Sequence, residues 1–199
     1  PVSGNYYKTV QNALPYNLTK STAADALKIA RPVHRIDAAT CGLLLVAKTK
    51  TAHLHLSKQF ENKTIQKRYQ AIAIGKLPQK GRIETPIDEK SSITDFETVK
   101  IVPSLKNEFL TLVNLYPITG RTHQLRKHLS GLNHPILGDK LYGCEGLILW
   151  KKGLFLCAVE LNFMHPKTKK MMQITIQPPN KFKTILEREE HRFLNYKNS

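Results

Sequence analysis

Asp37 follows His34-Arg35-Ile36 and precedes the turn Thr40-Cys41-Gly42, which feeds the apolar run Leu43-Leu44-Leu45-Val46-Ala47. A carboxylate at the mouth of a core strand, beside cations, has two uses. It can bridge Arg35 or cap the turn, or it can act as a nucleophile or base, with nearby arginines favouring its ionised form. No second acid lies within the motif, so paired-carboxylate hydrolysis of the glycosidase kind has little support. One covalent or proton-transfer step suits a single carboxylate better. Cys41 with His34 as its base would make a thiol nucleophile, although a cysteine in a buried turn is more often inert.

Two other stretches combine charge with a turn. In Lys67-Arg68-Tyr69 an aromatic residue stands next to two cations. This is either a strand aromatic packed in the core or a base-stacking platform beside phosphate-binding groups. Arg121 follows Thr119-Gly120 and opens a helix, where free N–H groups and the helix dipole favour an anion. That anion is a phosphate or Asp37 itself, unless the helix start is simply solvated.

The elements that must position these groups follow from periodicity. Thr22-Ala23-Ala24-Asp25 resembles a capping box, and Ala23, Ala26, Leu27 and Ala30 share a face, which predicts a helix stopped by Pro32. Residues 43–47 read as a strand covered on both faces. Thr49 or Thr51 caps a helix carrying Ala52, Leu56 and Phe60 and ending near Asn62; His53 and His55, two apart, do not share a face and make a poor metal site. Strands are predicted over 65–75, 94–102 and 109–116, with short strands between 81 and 92. A helix from Arg121 turns Leu125, Leu129 and Leu132 inward and Arg126 and Lys127 elsewhere. Residues 138–143 form a tight loop, 154–162 and 171–176 a hairpin through His165-Pro166-Lys167, and 181–198 a closing helix using Phe182, Ile185, Leu186 and Phe193. Residues 1–20 read as loop with a short helical turn. Strands in succession with short connections predict a mostly antiparallel sheet.

The 199 residues suit one domain, and 31 Lys and Arg against 15 acids give a formal net charge of +16. Such an excess points to a polyanionic partner, nucleic acid first. No apolar stretch approaches the roughly 18 to 20 residues of a membrane span. Cys41, Cys144 and Cys157 are scattered, which indicates neither a disulfide framework nor a zinc site, and residues 1–20 hold no signal-peptide pattern. A cytoplasmic setting is expected. Glycine-rich phosphate loops are absent, so no nucleotide cofactor is implied.

Together the stretches resemble the RluA-type pseudouridine synthases. His34-Arg35-Ile36-Asp37-Ala38-Ala39-Thr40-Cys41-Gly42-Leu43 is similar to that family's His-Arg-Leu-Asp-x-x-Thr-Ser-Gly-Leu signature, with Cys41 where Ser is common. Lys67-Arg68-Tyr69-Gln70-Ala71 resembles its Lys-x-Tyr-x-Ala strand, and Thr119-Gly120-Arg121-Thr122-His123-Gln124-Leu125-Arg126 with His134-Pro135-Ile136-Leu137-Gly138-Asp139 and Leu141-Tyr142-Gly143 its second long signature. Leu156-Cys157-Ala158 and His165-Pro166-Lys167-Thr168 are similar to its C-terminal hairpin. The resemblance implies an isomerase, free of metal and organic cofactor, that detaches uracil from ribose and rejoins it through C5 in ribosomal or transfer RNA. It implies Asp37 as the catalytic carboxylate, acting on sugar or base, and Tyr69 stacked on the uracil and assisting proton removal from C5. Arg121 would pair with Asp37, and Arg35 would occupy the space of the flipped nucleotide. His34, Thr40, Thr122, His123, Arg126 and Lys127 complete the implied RNA-binding set. The family's opening Lys-Pro-x-Gly strand and upstream accessory RNA-binding domain are not seen. The expectation that the resemblance implies is one α+β catalytic domain over residues 1–199, with a bent, mostly antiparallel sheet in two lobes around a central basic cleft that holds Asp37, monomeric, and with Pro1-Val2 as the tail of a missing first strand.

Overall fold

A computed structural model describes residues 9–143 and 152–198; Pro1-Val2 and Cys144 lie outside them. The chain divides into two compact units. The first takes Pro1–Ile36, Leu44–Ile65 and Asn162–Gln173, and the second takes Asp37–Leu43, Gln66–Leu161 and Ile174–Ser199.

In the first unit, helix α1 (Val10–Asn17) precedes β1 (Ala26–Pro32). After the crossing into the second unit for β2 (Cys41–Gly42), the chain returns for β3 (Val46–Thr49) and α2 (Lys50–Glu61). β1 and β3 form an antiparallel pair with Ala26 opposite Thr49 and Pro32 opposite Val46. The helix predicted from residue 22 is therefore strand β1. Asp25, the acidic member of the expected capping box, instead accepts the Thr51 N–H through Oδ2 at 2.9 Å and so serves the first turn of α2. Pairing with β3 outweighs an alanine-rich helical period, because propensity is a weak prior against tertiary contacts. α2 itself is as predicted: Thr49 Oγ1 accepts the Ala52 N–H at 3.1 Å, Leu56 is buried, and Asn62 is the C-cap.

The apolar run 43–47 is not one strand covered on both faces. It splits where the chain passes from Leu43 in the second unit to Leu44 in the first, and of its five residues only Ala47 is buried.

The second unit holds β4 (Gln66–Ile74), β5 (Lys80–Ile83), β6 (Thr94–Ser104), β7 (Glu108–Pro117), α3 (Gln124–Gly131) and α4 (Lys181–Lys197). Strands β8 (Leu156–Met164) and β9 (Met171–Thr175) each begin in one unit and end in the other. The sheet runs in the order β2-β8-β4-β7-β6-β5, with β9 beside β8. The β4/β7, β6/β7 and β5/β6 ladders are antiparallel and β2/β8 is parallel, which makes a mostly antiparallel mixed sheet of an α+β fold. Its core gathers Ala71, Ile72, Val113 and Leu115 with Leu129 of α3 and Phe182, Ile185 and Leu186 of α4. Among the described residues no helix is long and apolar enough to cross a membrane.

α3 departs from expectation in two ways. It starts at Gln124 rather than Arg121, and Leu132, predicted inward, is its C-cap and 41% exposed. Arg126, predicted to point away from the interior, is 5% exposed. Burying a guanidinium requires partners, and these belong to the site.

Candidate active site

The segment from Asp37 to Leu43 is held by its backbone. The Thr40 N–H donates to Asp37 O at 2.9 Å, closing the turn, and the Leu43 N–H donates to Ala158 O at 2.9 Å. Between them Gly42 lies against the backbone of Ala158 with φ +110°, where any Cβ would collide. That residue must be glycine for the Asp37 loop to dock on β8. Cys41, in register with Cys157, donates its thiol to Leu156 O at 3.5 Å.

Asp37 meets two cationic or potentially cationic groups inside its own unit. Arg126 NH1 lies 3.6 Å from Oδ2, and His123 Nε2 lies 3.8 Å from Oδ1. Both contacts are longer than a hydrogen bond, so Arg126 supplies charge while the carboxylate oxygens stay uncommitted. Arg126 is fixed by Asp139, whose side chain has no exposed surface: Nε donates to Oδ2 and NH2 to Oδ1, each at 2.7 Å. Burial opposes the Asp139 charge. The Arg126 bonds and the N–H groups of Leu141 and Tyr142 outweigh it and hold this carboxyl below its usual range. The same pair raises Arg126 above its usual value, chiefly through the Asp139 hydrogen bonds.

The loop before α3 is organised by Gln124, which is buried. Its Oε1 accepts from Thr119 Oγ1 at 2.7 Å and from the Arg121 N–H at 2.9 Å, while Nε2 donates to Ile93 O and Thr94 Oγ1. This polar residue at the head of the helix shapes residues 119–123.

Tyr69 sits in β4 opposite Leu115, partly buried against the core. Burial, and then the negative charge of Asp37, push its phenol up to about 12. It is therefore a neutral aromatic at physiological pH and not a ready base. Tyr69 thus lies in the same unit as Asp37 and feels its charge.

Several sequence expectations are redistributed. Arg121, expected to pair with Asp37, donates from Nε to Ser91 O at 3.1 Å; Arg126 stands at the carboxylate instead, because Asp139 draws its guanidinium inward. Arg68, expected to offer charge beside Tyr69, is paired with Glu160 at 2.6 Å and also reaches Asn114. Side chains alternate along a strand, so it lies on the face opposite Tyr69. Lys127 pairs with the exposed Asp88 at 3.0 Å, and Thr122 is exposed. The Thr40 hydroxyl is buried and makes no hydrogen bond among the described residues. His34 and Arg35 belong to the first unit. His34 Nε2 accepts the Leu45 N–H at 2.9 Å and its ring stacks on Phe60, while Arg35 is exposed. Asp139 and Tyr142 were not singled out by residue type, although both lie in the tight loop 138–143.

Residues 1–131 match the family model described as RNA pseudouridylate synthase. The chain belongs to that family, in its RluA-type branch. It is 39% identical over 68% of its length to the dual-specificity RNA pseudouridine synthase RluA of Vibrio parahaemolyticus. It is 37% identical over 81% of its length to the ribosomal large subunit pseudouridine synthase C of Buchnera aphidicola. It spans 61% and 59% of those two synthases. The structure of human RNA Pseudouridylate Synthase Domain Containing 1 superposes with a TM-score of 0.66 at 26% identity, covering 75% of this chain and 69% of that one. That solved domain shares the α+β fold described above.

Proposed function

We propose that this chain isomerises uridine to pseudouridine in structured ribosomal or transfer RNA, with Asp37 as the catalytic carboxylate. The observation that carries the reading is the arrangement at Asp37: a carboxylate of 18% side-chain exposure, flanked by a buried arginine that a second carboxylate holds in place, and near a neutral tyrosine. In this reaction the C1′–N1 bond breaks and a C1′–C5 bond forms, C5 gives up a proton and N1 takes one. Nothing is consumed, so one carboxylate and a rigid charge environment suffice. Asp37 acts on sugar or base with Arg126 beside it. Tyr69 offers a flat face for the uracil and, as a neutral phenol, a hydrogen-bond donor. The net charge of +16 serves the RNA phosphates. The relative named for the ribosomal large subunit supports ribosomal RNA as the substrate class.

The test is tritium release from RNA labelled at uracil C5. Asp37→Asn keeps shape and removes charge; release is expected to fall below about one thousandth of the wild-type rate with RNA binding retained. Robust release by Asp37→Asn would sink the assignment. RNA bound by the wild type without any release would leave a binding protein only.

A further inference from the structure

Tyr142 has no place in the reading above, yet it touches both groups that flank Asp37. Its hydroxyl lies 2.9 Å from His123 Nδ1, its ring meets the imidazole edge-on with centroids 5.6 Å apart, and the Arg126 guanidinium stands over its ring at 5.0 Å. The residue is also fixed through its backbone: the N–H donates to Asp139 Oδ1 at 3.1 Å and the carbonyl accepts from Ser130 Oγ at 2.9 Å. His123 in turn holds a left-handed conformation, φ 55° and ψ 24°, at the N-cap of α3 without making a capping bond from its side chain. A non-glycine residue in that region carries backbone strain, and such strain gathers at functional sites. What the strained conformation achieves is to aim Nε2 at Asp37 while Nδ1 faces Tyr142.

We infer that Tyr142 and His123 form a positioning arm for Asp37, an inference that rests on the assignment of Asp37 as the catalytic group. The tautomer follows from the neighbours. A carboxylate opposite Nε2 favours the proton on that nitrogen, which leaves Nδ1 to accept the Tyr142 O–H. Nε2–H then points at Oδ1 as Arg126 NH1 points at Oδ2. At 3.8 and 3.6 Å neither group holds the carboxylate tightly, and a movement of about 1 Å makes either contact a hydrogen bond, as happens when catalytic contacts tighten on substrate. One oxygen can react while the other is held. His123 and Tyr142 act through Asp37 and so are positioning residues.

Two measurements test the arm. The first needs no activity: in 15N-correlated NMR of the folded protein, His123 should show the Nε2–H tautomer, and both Tyr142→Phe and Asp37→Asn should shift its ring nitrogens. An Nδ1–H tautomer, or ring nitrogens indifferent to Asp37→Asn, would overturn the proposal. The second is steady-state tritium release measured over RNA concentrations from below to well above KM. Tyr142→Phe, which keeps the ring under Arg126, should lower kcat about tenfold with KM unchanged within about twofold. His123→Ala should lose more, His123→Gln should recover part of the loss by offering an amide N–H, and Tyr142→Phe should add nothing in the His123→Ala background. Losses that multiply in the double variant, or that appear in KM, refute it. A wild type without release overturns the proposed reaction, and the NMR result then decides the arm by itself.

Discussion

Asp139 brings a full carboxylate into a position with no exposed side-chain surface, and four donors make this tolerable: two from Arg126 and the N–H groups of Leu141 and Tyr142. Asp139→Asn would set an amide NH2 against a guanidinium and leave Arg126 buried without its counter-charge. Breaking one partner of a buried pair costs about 3–5 kcal/mol. The expected result is a lower urea midpoint together with reduced tritium release, since Arg126 NH1 would no longer be aimed at Asp37. An unchanged midpoint would show that the pair does not contribute to folding. At this scale the sequence was partly legible. Asp37, the proposed catalytic group, is singled out in the sequence by standing among cations at a glycine turn. Arg126 does not, because counting Leu125 and Leu129 inward turns it outward, and a separation of 13 residues gives no sign that Asp139 will meet it. The choice between Arg121 and Arg126 is a matter of distance, which spacing cannot supply.

Elements whose period agrees with their tertiary setting could be read directly: α2 with its Thr49 cap, β4, β6, β7 and α4. β1 could not, because Ala23, Ala26, Leu27 and Ala30 satisfy a helical period that only the partner strand β3 overrules. α3 was legible as a helix but not in what it buries on its polar side. There His128, 2% exposed, contacts Thr94 Oγ1 through Nδ1 at 2.9 Å, and through Nε2 it lies 3.1 Å from Thr85 O and 3.2 Å from Ser92 Oγ. Burial pushes its pKa below the ordinary 6.5, against a smaller opposing effect of the Thr85 bond. The folded state therefore keeps His128 neutral where the unfolded chain takes up a proton. Stability should be constant in this respect above 6.5, and should decline as pH falls from there towards the lower folded value. The slope reaches at most about 1.4 kcal/mol per pH unit. The depressed carboxyls of Asp95 and Asp139, with ordinary values of 3.8, act at lower pH. Urea unfolding from neutral pH down to about 5 checks this. A His128→Gln protein should be less stable at neutral pH but flatter across the window; an equally steep variant would remove His128 as the cause.

Across the whole molecule, charge and chemistry are separated by depth. The excess of cations, 31 against 15 acids, is a property of the surface, where screening acts over about 10 Å at 0.1 M salt. The charges that matter at Asp37 are set by a pair whose side chains are only 5% and 0% exposed, and salt reaches them little. Binding and turnover should therefore respond differently to ionic strength. Each phosphate neutralised releases counterions, so log affinity for RNA should fall linearly with log salt, by about 10³ or more between about 50 and 200 mM if six or more phosphates are engaged. The single-turnover rate at saturating RNA should change by less than about twofold over the same range, because Arg126 and Asp139 keep their geometry. Filter binding and tritium release on one RNA would give both numbers. A rate that falls in step with affinity would mean that the charges supporting Asp37 are exposed to solvent in the working enzyme. A flat affinity would mean that the surface excess is not what holds the RNA.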